Sequence, residues 1–215
     1  MLLTSAGLRN PALRATLAEL LGKPYAQARV TFVITAALAA PGDHDWVVAE
    51  LRRVHKLGWA RFTVVDLAAL PMPMLLEQLA DIDVLYVTGG NAYHLAQVIH
   101  SRRLARSLRD LLDRVVYVGA SAGSMILSTH FTERLTGLFG TGDPLFQHHG
   151  SEAISPLDVL DFGIHPHADL DAYDPGPARS LGLETYAIDD DTAVRVCGGR
   201  IDVVGGGRWI QVPGL

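Results

Sequence analysis

An α/β fold with a mainly parallel sheet and helices on both faces is what this sequence predicts, and three observations predict it. Short, near-continuous runs of Val, Ile, Leu and Phe recur up to residue 119. Segments of helical period alternate with them, and a set of short strands broken by glycine turns closes the chain. Strands buried on both faces carry continuous rather than alternating apolar patterns, as parallel strands between helical layers do.

The predicted strands are residues 1–4, 30–35, 61–66, 84–88 and 115–119. The predicted helices are residues 45–57, 74–80, 92–100 and 104–114. Asp43 can cap the first of these helices, and Gly58 lies just past its end, where a left-handed cap costs glycine little. Alternation of this kind implies right-handed crossovers and one parallel sheet. After about residue 130 the helical period fades, and Pro, Gly, Asp and His dominate residues 137–180. Four short strands are then expected at 185–188, 193–197, 201–204 and 209–212. Gly198-Gly199 and Gly205-Gly206-Gly207 separate the last three, which read as an antiparallel meander at the sheet edge. No helix follows these glycines, so they are turn chemistry rather than a phosphate cradle.

Length and composition fit one domain over residues 1–215, with 49% hydrophobic residues to build its core. A single cysteine, Cys197, excludes an internal disulfide and suits a reducing compartment. The first residues are too quickly polar for a secretory signal, and no run is long enough to span a membrane. The expected location is the cytoplasm. A net charge of −5, with acids and bases interspersed, gives no sign of nucleic-acid or membrane partners. Arg102, Arg103, Arg106 and Arg109 share a helical face, which reads as a solvated stripe with Leu104, Leu108 and Leu111 turned inward.

Residues 115–124 read VVYVGASAGS, and Gly119-Ala-Ser121-Ala-Gly123 fits the G-x-S-x-G nucleophile elbow. A serine thrust out on a tight turn between strand and helix needs minimal side chains two positions before and after it. The pattern follows a buried strand and opens a helix-compatible run at 122–129, so Ser121 is the candidate nucleophile. Ser124 reads as a first-turn helix residue. Upstream, VLYVTGGN ends another buried strand at Gly89-Gly90-Asn91. Ligands of open parallel sheets bind beyond the carboxyl ends of the strands, which puts this loop beside Ser121. Gly90 and Ala122 are then the candidate N–H donors to an oxyanion.

A TGGN loop, a G-x-SAG elbow and a later Pro-His together resemble the peptidase E family of serine peptidases, over most of the chain. That family contains aspartyl dipeptidases and is related to cyanophycinases. The resemblance implies a class I glutamine-amidotransferase-like fold and a Ser-His-acid triad. It also implies cleavage of short peptides after an N-terminal aspartate through an acyl-enzyme, with no cofactor and no metal. It admits a homodimer, although no interface patch stands out in the sequence.

A serine needs a base, and the base needs an orienting group. His44, His55 and His100 read as surface residues, His94 points along its helix, and His130 lies too far past the elbow. His148, His149, His165 and His167 remain. The resemblance matches His167, at the end of FGIHPHA, to the family's base. His165 would face the same side of an extended segment, as a pocket residue or the alternative base. An α/β-hydrolase order would draw the acid from Asp143, Asp158 or Asp161. The resemblance instead matches Asp190, in the run Asp189-Asp190-Asp191, to a glutamate of the family. Aspartate is one methylene shorter, which is expected to lengthen the orienting hydrogen bond or pass it to a neighbour.

The family's dipeptidases carry an arginine-bearing helix soon after the histidine. Here Arg179 is the only cation of that stretch, and Asp169, Asp171, Asp174 and Glu184 oppose an acidic substrate. An isopeptidase or esterase of the same class, and a non-catalytic peptide binder, are the alternatives. A metal hydrolase using His148, His149, His165, His167, Asp169 and Asp171 is a further one.

Overall fold

The computed structural model describes residues 1–149, 154 and 156–215; His149 is described in its backbone only. In chain order its elements are β1 (Leu2–Thr4), α1 (Pro11–Leu21), β2 (Arg29–Val33), α2 (Thr35–Leu38), α3 (Asp45–His55), β3 (Arg61–Val65), α4 (Met72–Ala80) and β4 (Val84–Val87). There follow α5 (Ala92–Ser101), α6 (Ala105–Leu112), β5 (Val116–Ala120), α7 (Ala122–Met125), α8 (Phe131–Phe139), α9 (Pro144–His149) and β6 (Gly163–His165). The chain closes with α10 (Gly176–Ser180), β7 (Thr185–Ile188), β8 (Thr192–Cys197), β9 (Arg200–Gly205) and β10 (Trp209–Val212).

The main sheet runs β3-β2-β4-β5-β1-β8-β9. Its first five strands pair in parallel, whereas β8 and β9 are antiparallel. Side chains alternate across it. Leu85 and Val87 of β4 pack with Leu95, Ile99 and Leu108 of α5 and α6 on one face. Val84 and Tyr86 pack with Leu13, Leu17 and Val54 of α1 and α3 on the other. All five predicted strands of the first half form, and Leu104, Leu108 and Leu111 are buried. Arg102 and Arg103 do not share a helical face with Arg106 and Arg109, because Arg103 turns left-handed (φ 55) between α5 and α6 and Arg102 donates to the Leu67 and Leu70 carbonyls.

Four departures have physical causes. Helix α1 is not among the predicted elements, although Asn10 caps it, Pro11 opens it and left-handed Gly22 ends it. Helix α8 lies where the helical period fades, because its core-facing position carries Arg134. This buried guanidinium donates to the carbonyls of Thr129, Asp161 and Glu184 at 3.0, 2.6 and 2.7 Å. The run 122–129 stops being helical at Met125: the Thr129 N–H, which a helix would give to the Met125 carbonyl, donates to Leu160, and the Ser128 N–H closes a tighter turn on Met125. Finally, the C-terminal strands are antiparallel as expected but divide between two sheets. The β8–β9 hairpin extends the main sheet, and β10 leaves it to pair with β7 in the order β10-β7-β6.

Arg134 therefore fastens α8 to the loop before β6, and so to the histidines beyond it. Replacing it by leucine should destabilise the protein by about 2–4 kcal/mol, since the part-buried Thr129 and Asp161 carbonyls lose the guanidinium and the Glu184 carbonyl keeps only the Gly163 N–H. Denaturant unfolding checks this; a loss of under 1 kcal/mol would show the carbonyls to be satisfied otherwise.

Candidate active site

The carboxyl ends of β5, β4 and β1 bring the elbow, the glycine loop and the first loop of the chain together. Ser121 leaves β5 with φ 49 and ψ −111, a conformation that side-chain-bearing residues rarely adopt. Such a residue costs on the order of 1–3 kcal/mol and persists only when its surroundings hold it. Here Thr4 holds it. The Thr4 carbonyl accepts the Ser121 N–H at 3.0 Å and the Ser124 hydroxyl at 2.8 Å. The Thr4 hydroxyl in turn donates to the Gly119 carbonyl at 2.8 Å. Ser124 is thus a buried structural residue. Both elbow glycines are enforced by space: a Cβ on Gly119 would meet the Gly123 backbone at 2.7 Å, and one on Gly123 would lie 2.1 Å from the Val87 carbonyl. Helix α7 is a single turn, so the N–H of Ala122, its first residue, matters more than any helix dipole.

The TGGN loop lies against Ser121. A Cβ on Gly89 would come within 3.1 Å of Ser121 Cβ, and Gly90 has φ +129. Asn91 lines a cavity, but its polar groups have other duties. Its N–H donates to Ala36, its Oδ1 accepts the His94 N–H at 2.8 Å as the α5 cap, and its Nδ2 donates to Asp143 at 2.7 Å.

His167, two residues past β6, sits in the left-handed region with φ 57. Its Nδ1 lies 2.6 Å from Asp190 Oδ1, so the shorter acid does not lengthen this contact. The turn between β7 and β8 carries the carboxylate close enough. Of the three adjacent acids, Asp189 holds that turn by accepting from Thr192 and Arg208, while Asp190 faces the imidazole. Ser5 binds both partners, accepting the His167 N–H at 2.7 Å and donating to Asp190 Oδ1 at 3.0 Å. Arg9 pairs with the other carboxylate oxygen at 2.6 Å. Burial alone would push the Asp190 carboxyl up. The hydrogen bond and charge of His167, the Ser5 hydroxyl and Arg9 outweigh it and hold Asp190 below its ordinary value.

Two cavities meet over this cluster, and Gly90, Ser121 and His167 line both. The first, of about 470 Å³, is also lined by Gly89 and Asp190 and by one face of α3: Trp46, Ala49, Glu50 and Arg53. The second, of about 500 Å³, includes Asn91, His165 and Asp143 with largely apolar walls. His165 stands between Phe139 and Tyr173, and burial, with the charge of His167 adding to it, lowers its pKa. Arg179 does not join the site: it is exposed on α10 and lines neither cavity. Among the described residues no three His, Cys, Asp or Glu side chains gather as a metal site. The His149 side chain of the metal alternative lies outside the described residues.

Sequence reasoning missed Ser5, Arg9 and the α3 face. The α3 signal was available, since Trp46, Ala49, Glu50 and Arg53 recur at i, i+3, i+4 and i+7 beside the apolar Val47, Leu51 and Val54 stripe. Glu50 is the most constrained of them. It is buried and accepts from Tyr86 at 2.6 Å and Thr88 at 2.5 Å, which ties α3 to the residue before Gly89. Burial pushes its carboxyl up, against the pull of the two hydroxyls and Arg53. A carboxyl whose folded value exceeds its unfolded one costs nothing below the unfolded value and destabilises as pH rises through it. The stability of Glu50→Gln relative to wild type should therefore be more favourable at pH 8 than at pH 4. Equal differences in unfolding free energy at the two pH values would refute this.

Among the described residues no helix is long and apolar enough to cross a membrane. The architecture is shared with solved structures. A "putative peptidase E protein" from Listeria monocytogenes EGD-e matches with a TM-score of 0.72 at 21% identity, covering 94% of this chain and 96% of that one. A peptidase from an acI-B1 Actinobacterium matches with a TM-score of 0.68 at 20% identity, covering 99% and 93%. At these identities the likeness is one of fold. No curated protein sequence matches. The family model for peptidase family S51 matches residues 1–204. The chain belongs to peptidase family S51.

Proposed function

We propose that this peptidase hydrolase of family S51 is a serine peptidase of short peptides, in which Ser121, His167 and Asp190 act as nucleophile, base and orienting acid. The observation that carries this reading is the 2.6 Å contact between His167 Nδ1 and Asp190, on a histidine that shares both cavities with a strained Ser121. With Nδ1–H donated to Asp190, Nε2 is the atom left to take a proton.

The chemistry follows from that tautomer. Ser121 Oγ attacks the scissile carbonyl as Nε2 takes its proton, and the N–H groups of Gly90 and Ala122 receive the developing oxyanion. Collapse expels the amine, which takes the proton from Nε2, and leaves an acyl ester on Ser121. Water then adds by the same steps in reverse and releases the acid.

For the acyl residue the first cavity is the natural seat, and an N-terminal aspartate suits it. Arg9 is committed to Asp190, whereas Arg53 forms no ion pair with another side chain among the described residues. Arg53, rather than Arg179, is the cation this reading assigns to a substrate carboxylate. A panel of Asp-X, β-aspartyl and neutral peptides separates a dipeptidase-like preference from isopeptidase or esterase activity.

Ser121→Ala should lose all labelling by a fluorophosphonate probe and all peptide turnover while unfolding as the wild type does. Labelling that persists in this variant would end the proposal. Asp190→Asn should lower kcat by on the order of 10²–10⁴-fold with KM little changed, because the imidazole tautomer is no longer fixed. Arg53→Met should raise KM for aspartyl substrates and leave neutral ones nearly unaffected, as steady-state kinetics on the panel would report.

A further inference from the structure

The two cavities differ in charge, and the difference bears on what leaves the enzyme. A peptide bond held over Ser121 places its acyl part in one cavity and its leaving part in the other. Arg9 and Arg53 line the first. Among the described residues no lysine or arginine lines the second, whose walls include Tyr93, Met125, Leu135 and Phe139. Among the described residues its one carboxylate is Asp143, fixed there by Asn91 Nδ2 at 2.7 Å and by the N–H groups of Leu145 and Phe146 at 2.8 and 3.1 Å. Residues 150–153 and 155, which lie outside the described set, include no lysine or arginine either. The two histidines of the wall, His165 and His167, add no fixed cation: burial disfavours charge on His165, and His167 must be neutral to act as a base.

A free dipeptide carries its α-carboxylate two bonds from the leaving nitrogen, and so into this second cavity. There the anion would give up water for apolar side chains and face Asp143, a costly exchange without a partner cation. An apolar side chain gains from the same walls. We infer that the second cavity is the leaving-side subsite for an apolar residue whose carboxyl group is not free. The favoured substrates are then peptides of three or more residues, or amidated ones, rather than free dipeptides. This rests on the serine-peptidase reading and on the assignment of the acyl residue to the Arg53 side.

The test compares kcat/KM for Asp-Leu, Asp-Leu-amide, Asp-Leu-Ala and Asp-Ala-amide, with Ser121→Ala as the blank. Asp-Leu-amide and Asp-Leu-Ala should each exceed Asp-Leu by at least about tenfold, and Asp-Leu-amide should exceed Asp-Ala-amide. Phe139→Arg, a change at a half-exposed position of the wall, should narrow the amide-to-acid ratio by supplying the missing cation. Free Asp-Leu cleaved as well as its amide, or better, would overturn the inference, as would a ratio unmoved by Phe139→Arg. Turnover of none of the four by protein that still labels at Ser121 would overturn it together with the acyl-side assignment. Loss of labelling in the wild type would instead remove the serine-peptidase reading beneath it.

Discussion

Thr4 and Ser5 leave the end of β1 side by side, and each holds one half of the proposed catalytic group. Thr4 clasps the elbow through its carbonyl and hydroxyl, fixing Ser121 in a conformation it would not adopt alone. Ser5 binds the backbone of His167 and the carboxylate of Asp190, which are 23 residues apart in sequence. These bonds are possible because β1 is paired on one side with β5, which carries the serine, and on the other with β8, which follows the acid. The place of one three-residue strand in the sheet thus sets how Ser121, His167 and Asp190 stand to one another.

Strain and close packing meet at the same point. Ser121 and His167 both have positive φ without being glycine, and each is held by hydrogen bonds from β1 or its loop. Around them Gly119 and Gly123 let β4, β5 and α7 approach to distances that no side chain would allow. The neighbouring Glu50 shows the opposite economy. A buried carboxylate is kept at an energetic cost while it fastens α3 to the strand end that leads into the glycine loop. Preorganisation of this kind is what acyl transfer requires, since donors must already point where charge will develop.

Much of this was legible in the sequence, because the β4 and β5 strands and their glycine turns are local patterns. Ser121 is marked by five consecutive residues, and His167 and Asp190 follow from a family resemblance that extends over most of the chain. What was not legible depends on contacts between distant segments. Arg134 disguises α8, since a charge on the core-facing side looks like a break in the pattern until its three carbonyl partners are known. The destination of β10 depends on which sheet edge is free, and nothing in its four residues states that. Ser5 and Arg9 carry no motif, and they enter the site only because β1 lies between β5 and β8. The same holds for specificity. Arg179 occupies the expected stretch of sequence but faces solvent, whereas Arg53 reaches the first cavity from a helix more than a hundred residues earlier.

The central claim is that Ser121 is acylated while His167, oriented by Asp190 and Ser5, moves the proton. Its most direct test is mass spectrometry of protein quenched in acid during turnover of an aspartyl 4-nitrophenyl ester, whose good leaving group makes deacylation the slower step. The expected result is an aspartyl adduct on the proteolytic fragment containing Ser121, formed with a stoichiometric burst of nitrophenol. Steady hydrolysis with no burst and no adduct, or an adduct on a different residue, would contradict the account.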